Sequence, residues 1–350
     1  MQHAGPGPEG INWDITYACP LRCGHCYSES GRRAPRTVAL DTMLRIADAL
    51  VSLKPKSIHI SGGEPLAAKG LLAVAERIAA SGIELVLYTS GWSMPQALVP
   101  EIVRLFSSVH VSLDGATAAV HDRLRGRNGA FDRAMDTLTR LDRAVRQAPL
   151  DGTRFEFGID IGVMRDNAAQ MAQFCTDLAP RFPALSFLMF GMVVPAGLAS
   201  RSGFADTQLL DAAAMRALAD PALAGRLTAL APASVRVGVT DNRDLMMHPD
   251  DLAAGRCVNS LMHVEPDGAV RGMPVYEGCV GNVLHEPAAA VWQRTFERCA
   301  HPFVVQTLAS VRSAQQWALA ARKIDRYFGT AQDLLRFSQR PAYVPLWTAG

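Results

Sequence analysis

Along the first half of the chain, short apolar runs alternate with stretches in which apolar side chains recur at helical spacing. The first run, Ile11-Asn12-Trp13-Asp14-Ile15-Thr16-Tyr17, alternates as a strand does. Met43, Leu44, Ile46, Ala47, Leu50 and Val51 then recur at helical spacing behind Asp41, a candidate N-cap, and Lys54-Pro55-Lys56 ends that helix. Ser57-Ile58-His59-Ile60-Ser61 reads as a short buried strand. Such a strand–helix–strand unit crosses over right-handedly and pairs its strands in parallel. The pattern repeats with a helix over 71–80, a strand over 84–88, a helix over 97–106 and a strand over 109–113. A helix near 131–145, a strand over 155–163, a helix over 168–178 and a strand over 185–193 follow. Six strands alternating with helices predict an α/β fold with a parallel sheet, but periodicity alone does not separate a curled sheet from a doubly wound one.

Residues of about 195–255 carry little chemistry: a loop at 195–199, one Ala- and Leu-rich helix over 208–223, and Met246, Met247 and His248, read as packing. From Cys257 the pattern changes to a hairpin turning at Pro266-Asp267-Gly268. Residues 301–350 read as mostly helical, with 311–327 amphipathic, a helix over 331–337, and Tyr343, Leu346 and Trp347 on a tail that docks. The expected division is 1–230, 231–300 and 301–350.

Composition narrows the class. With 49% apolar and only 19% charged residues the chain can bury a sizeable core and is not a disordered polymer. No run approaches the length of a membrane-spanning helix. A net charge of +2 without a basic block argues against nucleic acid as a partner. Seven cysteines, an odd number, and no apolar secretory run at the start argue against a disulfide framework and for a reducing cytoplasm.

The candidate chemistry starts at Cys19-Pro20-Leu21-Arg22-Cys23-Gly24-His25-Cys26, a loop directly after the first strand. Three thiolates at this spacing can hold three irons of a [4Fe-4S] cube and leave the fourth open. Zinc is the alternative, but a structural zinc site takes four ligands, and His25, wedged between Cys23 and Cys26, would strain a tetrahedron. Gly62-Gly63-Glu64-Pro65, Thr89-Ser90-Gly91 and Ser112 to Gly115 also follow predicted strands. In parallel α/β folds ligands bind at the carboxyl ends of strands, so the four segments should meet at one rim. Cys175 reads as a small buried hydrophobe, and Arg32-Arg33-Ala34-Pro35-Arg36 as a solvated linker.

The three-cysteine loop behind an early strand, with Gly62-Gly63-Glu64-Pro65 closing the next, resembles the radical S-adenosylmethionine (SAM) enzymes. The resemblance implies an open, partial (β/α)6 barrel and a [4Fe-4S] cluster on Cys19, Cys23 and Cys26, whose free iron chelates SAM and whose electron cleaves it to a 5'-deoxyadenosyl radical. It implies that Gly62, Gly63 and Glu64 hold the SAM amino group, with Glu64 placed among the catalytic residues. Tyr27 would lie near the adenine, Ser112 would contact the ribose or methionine carboxylate, and Arg125 would reach that carboxylate. The hairpin resembles the opening of the SPASM or shorter twitch extension, as do Val280-Gly281-Asn282-Val283 and Val291-Trp292. Met273 stands where the extension's second cysteine belongs. Cys257, Cys279 and Cys299 could hold an auxiliary iron–sulfur cluster, but the preferred expectation is a hairpin that kept its fold and lost its cluster, freeing Cys279 as a candidate hydrogen-atom donor. The implied partners are a peptide or small natural-product precursor and an electron donor such as flavodoxin or ferredoxin. No peptide-binding extension precedes the first strand, which weakens the expectation of a peptide. A non-catalytic iron–sulfur scaffold is the rival class, and it would predict damage to the cysteine loop or to Gly62-Gly63-Glu64.

Overall fold

The computed structural model describes residues 7–147, 155–242 and 260–344. Met246, Met247, His248, Cys257, Leu346 and Trp347 lie outside the described residues. Strands β1 (Gly10–Thr16), β2 (Ser57–Gly62), β3 (Glu84–Thr89), β4 (Ser108–Ser112), β5 (Glu156–Val163) and β6 (Phe187–Met192) pair in parallel in chain order. They match the six expected strands. Alternation along β1 sends Ile11, Trp13 and Ile15 into the main apolar core and leaves Asn12 and Asp14 on the opposite face. Helix α1 (Leu40–Ser52) turns Met43, Ile46, Ala47 and Leu50 into that core, and α2 (Leu71–Ala79) does so with Leu71, Val74, Ala75 and Ile78. Helices α3 (Val99–Leu105), α4 (Ala118–Arg125) and α5 (Ala130–Gln147) follow.

The sheet is larger than the apolar runs alone imply. β7 (Arg236–Thr240) adds a seventh parallel strand beyond β6. It arises within the stretch that reads as chemically poor, and none of its five residues is fully buried, which is why its apolar pattern is weak. The hairpin strands β8 (Leu261–Val264) and β9 (Ala269–Arg271) and the edge strand β10 (Cys279–Asn282) join the same sheet on the other side. β8 runs parallel to β1, and Gly268 takes the turn at φ 83°. Among the described residues the order β10-β9-β8-β1-β2-β3-β4-β5-β6-β7 leaves β7 and β10 as free ends, so their sheet is not closed into a barrel.

Three local expectations are corrected. The helix expected over 208–223 is two helices, Ala212–Leu218 and Pro221–Leu230, because Pro221 starts a new helix and Asp211 and Asp220 cap the two N-termini. Asp41 is not the N-cap of α1: Ala39 holds that position, and Asp41 acts in the first turn, where its charge suits the helix dipole. The bridge after the cysteine loop is only in part solvated: Arg32, Ala34 and Pro35 are exposed, but Arg33 and Arg36 are partly buried. Arg33 lies over the Tyr17 ring, 4.1 Å from its centroid, and pairs with buried Glu277 at 3.6 Å, while Arg36 pairs with Glu265.

After β10, helices Ala288–Cys299, Pro302–Ala309, Ala314–Phe328 and Ala331–Ser338 close the chain. A second apolar cluster joins them to the barrel through Met273, Tyr276, Cys299, Val304, Leu308 and Trp317. No helix among the described residues is long and apolar enough to cross a membrane. Cys175 is buried in the main core, as expected.

Candidate functional site

The cysteine loop leaves β1 and is pinned on three sides. Arg22 N–H donates to the Arg125 carbonyl at 3.0 Å, and Gly24 N–H donates to that of Leu124 at 3.3 Å, so the end of α4 holds the loop's first half. Leu198 N–H donates to the Cys26 carbonyl at 3.0 Å, so the segment after β6 holds the second half. Gly197, at φ 54°, makes this approach possible, since a Cβ there would overlap the Tyr27 backbone.

The turn after β2 closes the third side. Gly63 N–H donates to the Thr16 carbonyl at 2.6 Å and Glu64 N–H to the Ala18 carbonyl at 2.8 Å. Gly62 sits at φ 121°, and a Cβ on Gly63 would collide with the Ala18 carbonyl. Both glycines therefore bring the second strand's end against the backbone that enters the cysteine loop. The Glu64 side chain is buried and turns toward β3. Its carboxylate accepts from Thr89 Oγ1 at 2.7 Å, from Ser90 N–H at 2.9 Å, from the Ser90 hydroxyl and from Leu66 N–H at 3.2 Å. Burial raises the Glu64 pKa, and these donors only partly offset it.

Cys19, Cys23 and Cys26 are all partly buried on this loop. Burial pushes the Cys19 thiol up to about 12 and the Cys23 thiol up to about 11, each raised further by its neighbouring cysteines. Arg125 counters this at Cys23, donating from Nη1 across 3.9 Å to Sγ. Thiols held this far above neutrality become thiolates when a cationic centre displaces their protons. Among the described residues no three His, Cys, Asp or Glu side chains converge on a single ion. The donor set nonetheless fits a [4Fe-4S] cube: three thiols on one loop, close enough to perturb each other, with a guanidinium beside one of them.

Asp114, just past β4, is the hub beneath the loop. It is fully buried, accepts from Gly162 N–H at 2.9 Å, and faces Arg125 Nε at 2.7 Å and His25 Nε2 at 3.3 Å. Burial alone would raise its pKa, but Arg125 and the histidines hold it below the usual carboxylate range. Burial pushes His25 down to about 4, so the histidine between two cysteines is neutral at pH 7. Tyr27 donates its hydroxyl to Asp14 Oδ1 at 2.7 Å, and Asp14 meets His263 of β8 at 3.0 Å. Ser112 stands at the end of β4 in register with Asp160 of β5. Burial and the nearby Asp114 push Asp160 up to about 7.

The structure thus brings Cys19, Cys23, Cys26, Gly62, Gly63, Glu64, Tyr27, Ser112 and Arg125 to the carboxyl ends of β1, β2 and β4. It leaves Cys279 apart, exposed on the edge strand β10 opposite Arg271. Sequence reasoning passed over Asp114, His25 as a carboxylate partner, Ser90 and Asp160. Asp114 and Ser90 did stand in strand-end segments that had been singled out, and that position was the available signal.

Residues 13–150 match the family model described as the Radical SAM superfamily. Among curated relatives, mycofactocin maturase MftC of Mycobacterium tuberculosis is 32% identical over 178 residues, covering 51% of this chain and 43% of its own. The AdoMet-dependent heme synthase of Methanosarcina barkeri is 30% identical over 201 residues, covering 56% and 53%. The chain spans about half the length of these relatives. Among solved structures, Streptococcus suis SuiB bound to S-adenosylmethionine superposes with a TM-score of 0.61 at 14% identity, over 88% of this chain and 69% of that one. Native anSMEcpe with bound AdoMet gives 0.56 at 13% identity, over 94% and 99%. At these identities the superpositions establish the shared fold.

Proposed function

We propose that this protein is a radical SAM enzyme that modifies a peptide or small natural-product precursor. The observation that carries the reading is the three-cysteine loop locked against Gly62 and Gly63, with Arg125 on Cys23. Cys19, Cys23 and Cys26 would hold a [4Fe-4S] cluster, which, when bound, supplies the electron that cleaves SAM. The protein's own part is to orient and to exclude water. The Gly62–Gly63 backbone shapes the wall beside the cluster loop, Ser112 offers a hydroxyl at the rim, and Arg125 offers a cation for a carboxylate. Glu64, saturated by four donors in this arrangement, serves first to join the ends of β2 and β3.

The names of the relatives favour a peptide substrate: a mycofactocin maturase, a subtilosin biosynthesis protein and SuiB, crystallised with its precursor peptide SuiA. The heme synthase and a GTP 3',8-cyclase favour the alternative, a small molecule. A flavodoxin or ferredoxin is the proposed electron donor. The reading of a hairpin without an auxiliary cluster is supported by Met273 and Cys299, which share an apolar cluster with Val304, Leu308 and Trp317. Cys279 on its exposed edge keeps the proposed role of hydrogen-atom donor only if substrate reaches β10. The intact cysteine loop and glycine pair weigh against a non-catalytic scaffold.

The test is anaerobic reconstitution with iron, sulfide, reductant and SAM. Wild type should bind about four irons per chain and release 5'-deoxyadenosine, and replacing Cys19, Cys23 and Cys26 with Ala should abolish both. A triple variant that still cleaves SAM would overturn the proposal, and a wild-type iron content near twice this value would restore the auxiliary cluster.

A further inference from the structure

A cavity of about 310 Å³ opens on the outer side of the cysteine loop, between the helix Ala314–Phe328, the start of the helix Ser202–Thr207 and the tail around Pro341. Four arginines line it, Arg201, Arg322, Arg326 and Arg340, against one carboxylate, Asp325. Arg340 is neutralised by Glu29, with contacts of 2.7 and 3.1 Å. The other three are not paired with a carboxylate among the described residues. Arg201 spends its donors on the carbonyls of Leu198, Pro341 and Gly24, at 2.8, 2.7 and 2.8 Å. Arg322 and Arg326 stand one helical turn apart and make no ion pair among the described residues. Arg322 feels Asp206 as its counter-charge at longer range. Asp325 is a weak counter-ion, because burial pushes it up to about 7.

Uncompensated guanidinium groups around one concavity repel each other, and burial compounds the cost. Burial and the neighbouring Arg32 and Arg340 push Arg201 down to about 10, and Arg326 and Arg340 act on Arg322 in the same direction. A polyanion relieves that repulsion, and planar guanidinium forks match phosphate and carboxylate oxygens. The volume lies at the lower end of small-molecule sites. We propose that this cavity binds a small polyanion carrying phosphate or carboxylate groups, which ties the C-terminal tail to the outside of the cysteine loop. The tie is built from two contacts already present: Arg201 Nη2 donates to the Gly24 carbonyl, and the Tyr343 ring packs edge-on against Phe204, 5.0 Å between centroids, beside Gly24. The site goes beyond the proposed SAM chemistry and does not depend on it, since arginines alone would hold the ligand.

The experiment is calorimetric titration of the full chain with sodium pyrophosphate and, separately, with citrate, at fixed ionic strength set by sodium chloride. Wild type should show saturable binding of one anion per chain, weakened about tenfold or more in the Arg322→Ala, Arg326→Ala double variant. Tighter pyrophosphate than citrate assigns the site to a phosphate ligand, and the reverse assigns it to a carboxylate. Chymotryptic cleavage after Phe337, which lines the cavity, should slow with the anion in wild type and not in the variant. Should the alanine variant fail to fold, the Arg322→Gln, Arg326→Gln variant carries the same comparison. Saturation by neither anion, equal affinity in the variant, or binding of an acidic polyglutamate peptide alone would overturn the proposal.

Discussion

At the scale of single residues, the site is a set of buried charges, each stabilised by a named partner. Glu64 offers one carboxylate to three donors on β3 and the following turn and to a fourth, Leu66 N–H, just after β2. Glu64→Ala would leave buried donors of Thr89 and Ser90 without an acceptor, and should cost about 2–4 kcal/mol in chemical denaturation. An unchanged midpoint would show that water replaces the carboxylate. Burial raises Asp160 as well, and only the Arg125 charge opposes it. Its pKa of about 7 in the fold lies above that of the unfolded chain, so wild type loses stability as pH rises from about 4 through 7. Asp160→Asn removes that titration. The variant should gain stability over wild type across this window and hold the gain above it, as melting temperatures at pH 5 and pH 8 would show. An identical difference at both pH values would mean that Asp160 ionises normally.

Among the elements, close backbone approach decides which turns can hold the loop. Gly63 is such a position, because β2 ends with its N–H on Thr16 and its Cα against Ala18. Gly63→Ala should push the entry of the cysteine loop away from β2 and sharply reduce the iron retained after reconstitution, while far-ultraviolet circular dichroism changes little. Full iron retention would show that the loop accommodates the shift. The element pattern was largely legible in the chain: β1 to β6 and α1, α2 and α5 follow from apolar periodicity. β7 was not, since a strand at the open edge is half-buried and needs no strong apolar alternation. The helix over 208–223 was misjudged because its composition is uniform, and only Asp220-Pro221 marks the break.

For the molecule as a whole, the C-terminal helices tie the barrel's start to its end. Arg336 pairs with Glu29, three residues beyond Cys26, and with Glu277 at 2.9 Å, while Arg271 and Arg33 complete the neutralisation of Glu277. These arginines hold Glu277 well below the usual carboxylate range against its burial. Removing one partner of such a buried set leaves a charge unpaired, so Arg336→Ala should cost about 3 kcal/mol and lower the melting temperature. It should also speed loss of the cluster's absorbance in air, if the tail shields the loop. Equal melting curves would assign Arg271 and Arg33 the whole task.

The order of apolar runs determined that strands and helices alternate and that the polar segments after them share a rim, because parallel strands point their carboxyl ends the same way. The spacing of Cys19, Cys23 and Cys26 determined the candidate ligands, because it is local. What the chain could not show is pairing between residues far apart in sequence. Asp114 with His25 and Arg125, Glu64 with Ser90, Asp14 with His263, and Arg336 with Glu29 are charges or hydrogen bonds that exist only once the sheet has brought their elements together. The lack of pairing between β7 and β10 among the described residues, which leaves the barrel open, likewise depends on how the whole sheet is ordered and is written in no single segment.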